Sequence, residues 1–167
     1  MAISAIDQNR LSQMLIFVAG EVTRREAELN ALDAAVGDGD HGITMRAGFD
    51  AIHDRLGQLD PATPIGGILR ESGGAFLSAT GGAIGVVMGK MLMAGGKALQ
   101  GVQEIRAPEF QLLLTALEAS VAATGKVKPG ARTILDAIHG AAAATAAEDG
   151  AAKDLDTMVG RAASAAE

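Results

Sequence analysis

Apolar residues recur at intervals of three and four along almost the whole chain, and no segment alternates apolar with polar as a half-buried strand would. Leu11, Met14, Leu15, Val18 and Val22 form one such stripe behind Asp7, a residue type suited to capping a helix, which predicts a helix from there to about residue 30. Met45, Phe49, Ile52 and Leu56 define a second helix, closed by Gly57 and the Pro61/Pro64 turn. A third is expected over about residues 64 to 78. A fourth follows in the Met-rich stretch from Val86 to Leu99, where Gly95-Gly96 is a candidate break. Pro108 suits the first turn of a fifth, with Phe110, Leu113, Leu114, Leu117 and Val121 on one face. Ile134, Leu135 and Ile138 mark a sixth, and Leu155, Met158 and Val159 a seventh. The Ala141–Ala147 run reads as helix. Seven helices joined by short loops predict an all-α, antiparallel up-and-down bundle. A hydrophobic content of 49% that leans on Ala favours close helix packing, and 167 residues suffice for a single domain with its own core.

The same composition removes several functions. There is no Cys, hence no disulfide, zinc-thiolate site or thiol catalysis. A net charge of −6 with four aromatic residues, all Phe, lacks the basic stripe and stacking rings of a nucleic-acid binder. The N-terminus has no basic start followed by an apolar run, and no long charge-free apolar stretch follows, so a soluble cytoplasmic protein without a membrane partner is expected.

Chemistry concentrates in Asp33-Ala-Ala-Val-Gly-Asp38-Gly-Asp40-His41-Gly42, which sets three carboxylates within eight residues. Asp and Gly alone would mark only a turn, but three carboxylates side by side repel unless a cation sits among them, and oxygen ligands suit Mg²⁺ or Ca²⁺. An EF-hand is excluded by position: counted from Asp38, the sixth residue is Ile43 and the twelfth is Phe49. Mg²⁺ bridging to a polyphosphate fits better. His41 can ligate metal, donate to phosphate or cap its loop; hard oxygen ligands around it favour phosphate contact.

Two further segments suit an anion. Ser78-Ala79-Thr80-Gly81-Gly82-Ala83-Ile84-Gly85 offers hydroxyls at Ser78 and Thr80 and a glycine turn before a helix N-terminus, although tight packing or a helix break would explain the glycines equally well. It is neither a Walker loop nor a dinucleotide loop. Gly125-Lys126-Val127-Lys128-Pro129-Gly130-Ala131-Arg132-Thr133 brings three cations, of which Lys126 and Lys128 read first as solvated side chains. Asp136 and His139 suit a helix-surface pair, and His53 carries no assigned role. An up-and-down bundle can bring all three loops to one end.

Taken together, Gly-Asp-Gly-Asp-His-Gly, Leu-Ser-Ala-Thr-Gly-Gly-Ala-Ile-Gly and Gly-Lys-Val-Lys-Pro-Gly-Ala-Arg-Thr-Ile-Leu-Asp resemble, in order, the nucleotide-binding L subunit or L domain of dihydroxyacetone kinases. The resemblance implies a helical barrel, of eight helices in the family, with ADP or ATP and two Mg²⁺ at one end. It implies metal carboxylates at Asp33, Asp38 and Asp40. Nucleotide contacts would fall on His41, Gly42, Ile43 and Thr44, on Ser78, Ala79, Gly81 and Gly82, and on Gly125 and Ile134. Thr44 stands where many members have Asn, Ala79 replaces a frequent second Ser, and Ala131 a common Asp. Members usually continue past the equivalent of Glu167 into a Gly-rich, Arg-bearing closing segment, so residues 1–167 are expected to be one L-type domain without that lid. The implied activity is transfer of a phosphoryl group to dihydroxyacetone or a related short ketose held by a separate K subunit, with no covalent intermediate on this chain. A phosphohistidine carrier is a possible phosphate source, and a homodimer a possible assembly. The rival functions are a nucleotide-binding regulatory module without turnover and a purely structural bundle.

Overall fold

The computed structural model describes residues 3–146 and 154–167. Among them are eight helices: α1 (Gln8–Arg24), α2 (Glu26–Ala34), α3 (His41–Leu56), α4 (Ile65–Ala79), α5 (Gly82–Ala98), α6 (Ala107–Gly125), α7 (Ile134–Ala146) and α8 (Leu155–Ala166). Ala147, the end of the alanine-rich run, lies outside the described residues. The bundle is the expected antiparallel one, with α3 to α8 each packed on the next and α1 laid against α3.

Most helix ends fall where the sequence puts them. The Asp7 carboxylate accepts from Arg10 N–H at 2.8 Å and starts α1, Gly57 stops α3, and Pro108 sits in the first turn of α6. Helix eight comes from a split in the first: the segment expected to run to about residue 30 breaks at Arg25, which carries no breaker residue. The break lets α2 pack across the start of α3, where Arg46 pairs with Glu26 at 2.7 Å. Met14 and Val18, expected on the core face of α1, are exposed; the buried edge runs instead through Leu11 and Ala19.

Gly95-Gly96 does not interrupt α5. A Cβ at Gly96 would stand 2.5 Å from the carbonyl oxygen of Gly66, and one at Gly66 would stand 2.6 Å from that of Gly96. Further along the same pair of helices, Gly73 and Gly89 meet in the same fashion. These glycines are the contact between α4 and α5, whose backbones touch because no side chains separate them. The core then fills outward with Ile52, Ile65, Phe76, Leu99, Ile105 and Leu135, all fully buried, and Phe49 meets the Phe76 ring edge-on at 5.6 Å. At the far end, Ile6 and Ile105 exchange backbone hydrogen bonds of 2.9 and 2.8 Å, anchoring the chain's start on the α5–α6 connection. The antiparallel order leaves the α2–α3, α4–α5 and α6–α7 connections together at the opposite end.

Candidate metal and nucleotide site

Asp33 is on the last turn of α2, and Asp38 and Asp40 are on the connection to α3. The connection doubles back because Gly39 takes φ +79°, which a side chain would resist, and because Asp33 Oδ2 accepts from the N–H groups of Gly39 (2.9 Å) and Asp40 (3.1 Å). One carboxylate oxygen from each of Asp33, Asp38 and Asp40 then lies within 4.8 Å of the others. The ion pairs formed among the described residues leave all three out. Asp38's negative charge, then loss of hydration and Asp33's charge, raise the Asp40 carboxyl above its ordinary value. Three hard oxygen donors gathered in this way fit a divalent oxophilic cation.

His41 opens α3 half-buried, Gly42 is buried, Ile43 is exposed and Thr44 is half-buried. The backbone here differs from a free helix N-terminus. The side chain of Asn30, on α2, accepts from Gly42 N–H at 2.8 Å and Ile43 N–H at 3.2 Å, while Thr44 N–H reaches Asp40 O at 3.0 Å. Only glycine permits this closeness at 42, since a Cβ would collide with the carbonyl of Glu26. Asn30 is the residue the sequence does not betray: it caps a helix from twelve residues ahead, on another element, where local cap rules do not look.

Ser78 and Ala79 end α4, both exposed, and Gly81 and Gly82 open α5. Gly82 takes φ +70°, and a Cβ on either glycine would meet nothing within 4 Å. Of the N-termini of α3, α5 and α7, only that of α5 has no side-chain acceptor among the described residues, so N–H groups of its first turn face open space. The Thr80 hydroxyl, offered by the sequence as an anion donor, instead donates to Phe76 O at 2.8 Å. That leaves Ser78 as the hydroxyl of this segment.

Gly125 ends α6 and Ile134 starts α7. Between them, Lys126 and Arg132 take left-handed φ values of 52° and 59°. Asp136 holds this loop: its carboxylate accepts from Gly130 N–H and, at 2.7 Å, from Thr133 N–H, while Thr133 Oγ1 accepts from Leu135 N–H at 3.2 Å. Those backbone donors, Thr133 first, hold the Asp136 carboxyl below its ordinary value. It therefore does not pair with His139, which instead meets Glu118 of α6 at 2.6 Å.

All of the expected contact residues thus fall at helix ends or connections on one end of the bundle. No helix among the described residues is long and apolar enough to cross a membrane.

The family description "DAK2 domain" matches residues 35–167. The chain is 33% identical over 120 residues to the ADP-binding subunit DhaL of PEP-dependent dihydroxyacetone kinase 2 from Listeria innocua, covering 71% of this chain and 56% of that one. It is 32% identical over 118 residues to the corresponding DhaL subunit of Escherichia coli, covering 70% and 56%. The chain therefore spans little more than half the length of either. Among solved structures, the dihydroxyacetone kinase of C. freundii in complex with AMP-PNP and Mg²⁺ superposes with a TM-score of 0.70 at 30% identity, over 81% of this chain and 25% of that one. The chain belongs to the DAK2-domain family and is similar in sequence to the ADP-binding DhaL subunits of PEP-dependent dihydroxyacetone kinases and in fold to part of the dihydroxyacetone kinase of C. freundii.

Proposed function

We propose that this chain is the nucleotide-binding unit of a cytoplasmic short-ketose kinase, a single L-type domain that holds ADP or ATP and delivers its phosphoryl group to a ketose bound by a separate K-type chain. The observation that carries the reading is the convergence of Asp33, Asp38 and Asp40 at the bundle end where the first turn of α5 is left uncapped. In this reading the three carboxylates hold one or two Mg²⁺. The metal supplies charge neutralisation for the nucleotide phosphates and for the transferring phosphoryl group.

The rest is positioning by the chain's own groups. The uncapped N-terminus of α5 offers free first-turn N–H groups and the positive end of the helix dipole to an anion, and Gly81 and Gly82 let phosphate oxygens approach the backbone. His41 and Ser78 add side-chain donors. With Gly42 and Ile43 N–H taken by Asn30, the His41–Thr44 turn contributes through side chains and shape rather than through its amides. Gly125 and Ile134 flank the nucleotide from the loop that Asp136 holds. No protein nucleophile is required, because in-line transfer depends on charge and alignment. The similarity to PEP-dependent DhaL subunits makes a phosphohistidine carrier a candidate for recharging bound ADP, and a second copy of the chain is a further candidate partner.

Calorimetric titration of the chain with ADP, with and without Mg²⁺, tests the site; binding indifferent to Mg²⁺ would sink it. Phosphorylation of dihydroxyacetone should appear only when a K-type chain is added. Mg²⁺-dependent binding without transfer to any short ketose in that mixture would leave a regulatory nucleotide module.

A further inference from the structure

Two side chains one turn apart on α2 hold the start of α3. Asp33 accepts from the N–H groups of Gly39 and Asp40 at 2.9 and 3.1 Å, and Asn30 accepts from those of Gly42 and Ile43 at 2.8 and 3.2 Å. Four of the five amides from Gly39 to Ile43 are thus tied to α2. Both partners of Asn30 are donors, so its oxygen faces them. Gly42 already lies against the Glu26 carbonyl, which leaves the turn no room to shift toward α2. The placement of Asp33 is therefore coupled through Asn30 to that of His41 and the turn after it.

The chemical type at position 30 is the informative part. Asp caps a helix as well as Asn does, and it gains further from the positive end of the helix dipole. Every other helix start that a side chain holds among the described residues uses a carboxylate: Asp7 serves α1, Glu109 serves α6, Asp136 serves α7 and Asp154 serves α8. Only α3 takes an amide. In the reading above, phosphate meets the starts of α3 and α5, and the loop before α7 only flanks the nucleotide. Helix α5 has no side-chain cap at all, so both of its phosphate-facing helices begin without added negative charge.

We propose that Asn30 is a positioning residue for the nucleotide: it fixes the Asp33-bearing helix against the His41 turn with a neutral group, so that the start of α3 keeps its positive character for the phosphates. This rests on the nucleotide reading. A fourth acid beside Asp33, Asp38 and Asp40 would also repel them, but Mg²⁺ among the carboxylates relieves that repulsion, whereas a conflict with phosphate remains when the metal is bound.

Two substitutions separate geometry from charge. Asn30→Asp keeps an oxygen on both N–H groups and adds a charge; Asn30→Ala removes the oxygen and adds none. Urea unfolding in Mg²⁺ without nucleotide should place Asn30→Asp level with the wild type and Asn30→Ala below both. Calorimetric titration with ADP in Mg²⁺ should reverse the two variants. Asn30→Ala should stay the nearer to the wild type, while Asn30→Asp should bind at least about five-fold more weakly, the scale of one like charge at short range, with a deficit that shrinks as salt is raised. A merely structural Asn30 would give the same order in both measurements. That result, a loss of ADP affinity indifferent to salt, or an Asn30→Asp chain less stable than Asn30→Ala would each overturn the proposal. Wild-type ADP binding indifferent to Mg²⁺ would instead overturn the nucleotide reading, and the proposal with it.

Discussion

Two aspartates at the same end of the bundle hold backbone loops by the same device, and the two loops differ in how their carboxylate charge is answered. Asp136 accepts from the N–H groups of Gly130 and Thr133 and its carboxyl is driven below its usual value. Asp33 likewise accepts from Gly39 and Asp40, but the loop it folds delivers Asp38 and Asp40 beside it, and Asp40 is driven above. At Asp136 the charge is answered by backbone donors, so the loop serves the fold. At Asp33 the fold assembles negative charge that an added cation would answer, which opposes stability in the metal-free chain. The difference separates a carboxylate whose charge the fold itself answers from a cluster whose charge it leaves unanswered, which is what the proposed cation site requires.

The largest test of that contrast is Asp38→Asn. It should weaken Mg²⁺-dependent ADP binding ten-fold or more, roughly the loss of a charge-assisted contact, while leaving the metal-free chain at least as heat-stable as before. A metal-free variant markedly less stable than the original would make Asp38 structural and erase the contrast. Asp136→Asn should do the reverse: calorimetry should record a lower melting temperature, by a few degrees, with a smaller change in ADP affinity than Asp38→Asn gives. Equal damage to binding by both would merge the two loops into one site.

A middle case is Asn30→Ala, which removes the acceptor for Gly42 and Ile43 N–H. About 1 kcal/mol of stability should be lost, as for other helix caps, measurable by urea unfolding. Because the same change frees two amides beside His41, ADP affinity should fall less than stability does. The smallest effect is in acid. The Asp136 carboxyl is depressed on folding, so its stabilisation is full above the unfolded carboxylate value and is lost only as pH falls through the lower, folded one. Wild-type and Asp136→Asn melting temperatures, measured without metal, should therefore differ at neutral pH and converge below pH of about 3.8, the ordinary value. A gap that persists in strong acid would mean the loop is held by something other than this charge.

What could be read from the chain beforehand follows the range of the interaction. The limits of α3 were legible because Gly57 and the prolines act on their own neighbours, and the Asp33–Asp40 cluster because its carboxylates lie close together along the chain. The break at Arg25 was not, since nothing local forbids a helix through Thr23-Arg24-Arg25-Glu26; the demand comes from α2 reaching α3. Gly95-Gly96 misled for the same reason: taken locally a glycine pair weakens a helix, but the partner of Gly96 is Gly66, on another helix. Asp136 and His139 had suitable helical spacing, yet backbone donors and Glu118 offered each a better partner.

The touching backbones of α4 and α5 also bear on how the molecule opens. Contacts between two helices adjacent in sequence close a short loop, so they form with little entropic cost and early in folding. With main chain against main chain there is no side chain to swing aside and admit solvent, and the two helices can separate only as whole units. Their amides should therefore be the slowest in the protein to exchange with deuterium, surrendering protons only when the entire domain unfolds. In the proposed reading, the turn at Gly81 and Gly82 that meets the nucleotide is thus mounted on this closely packed pair of helices, and motion on binding is left to the loops on either side.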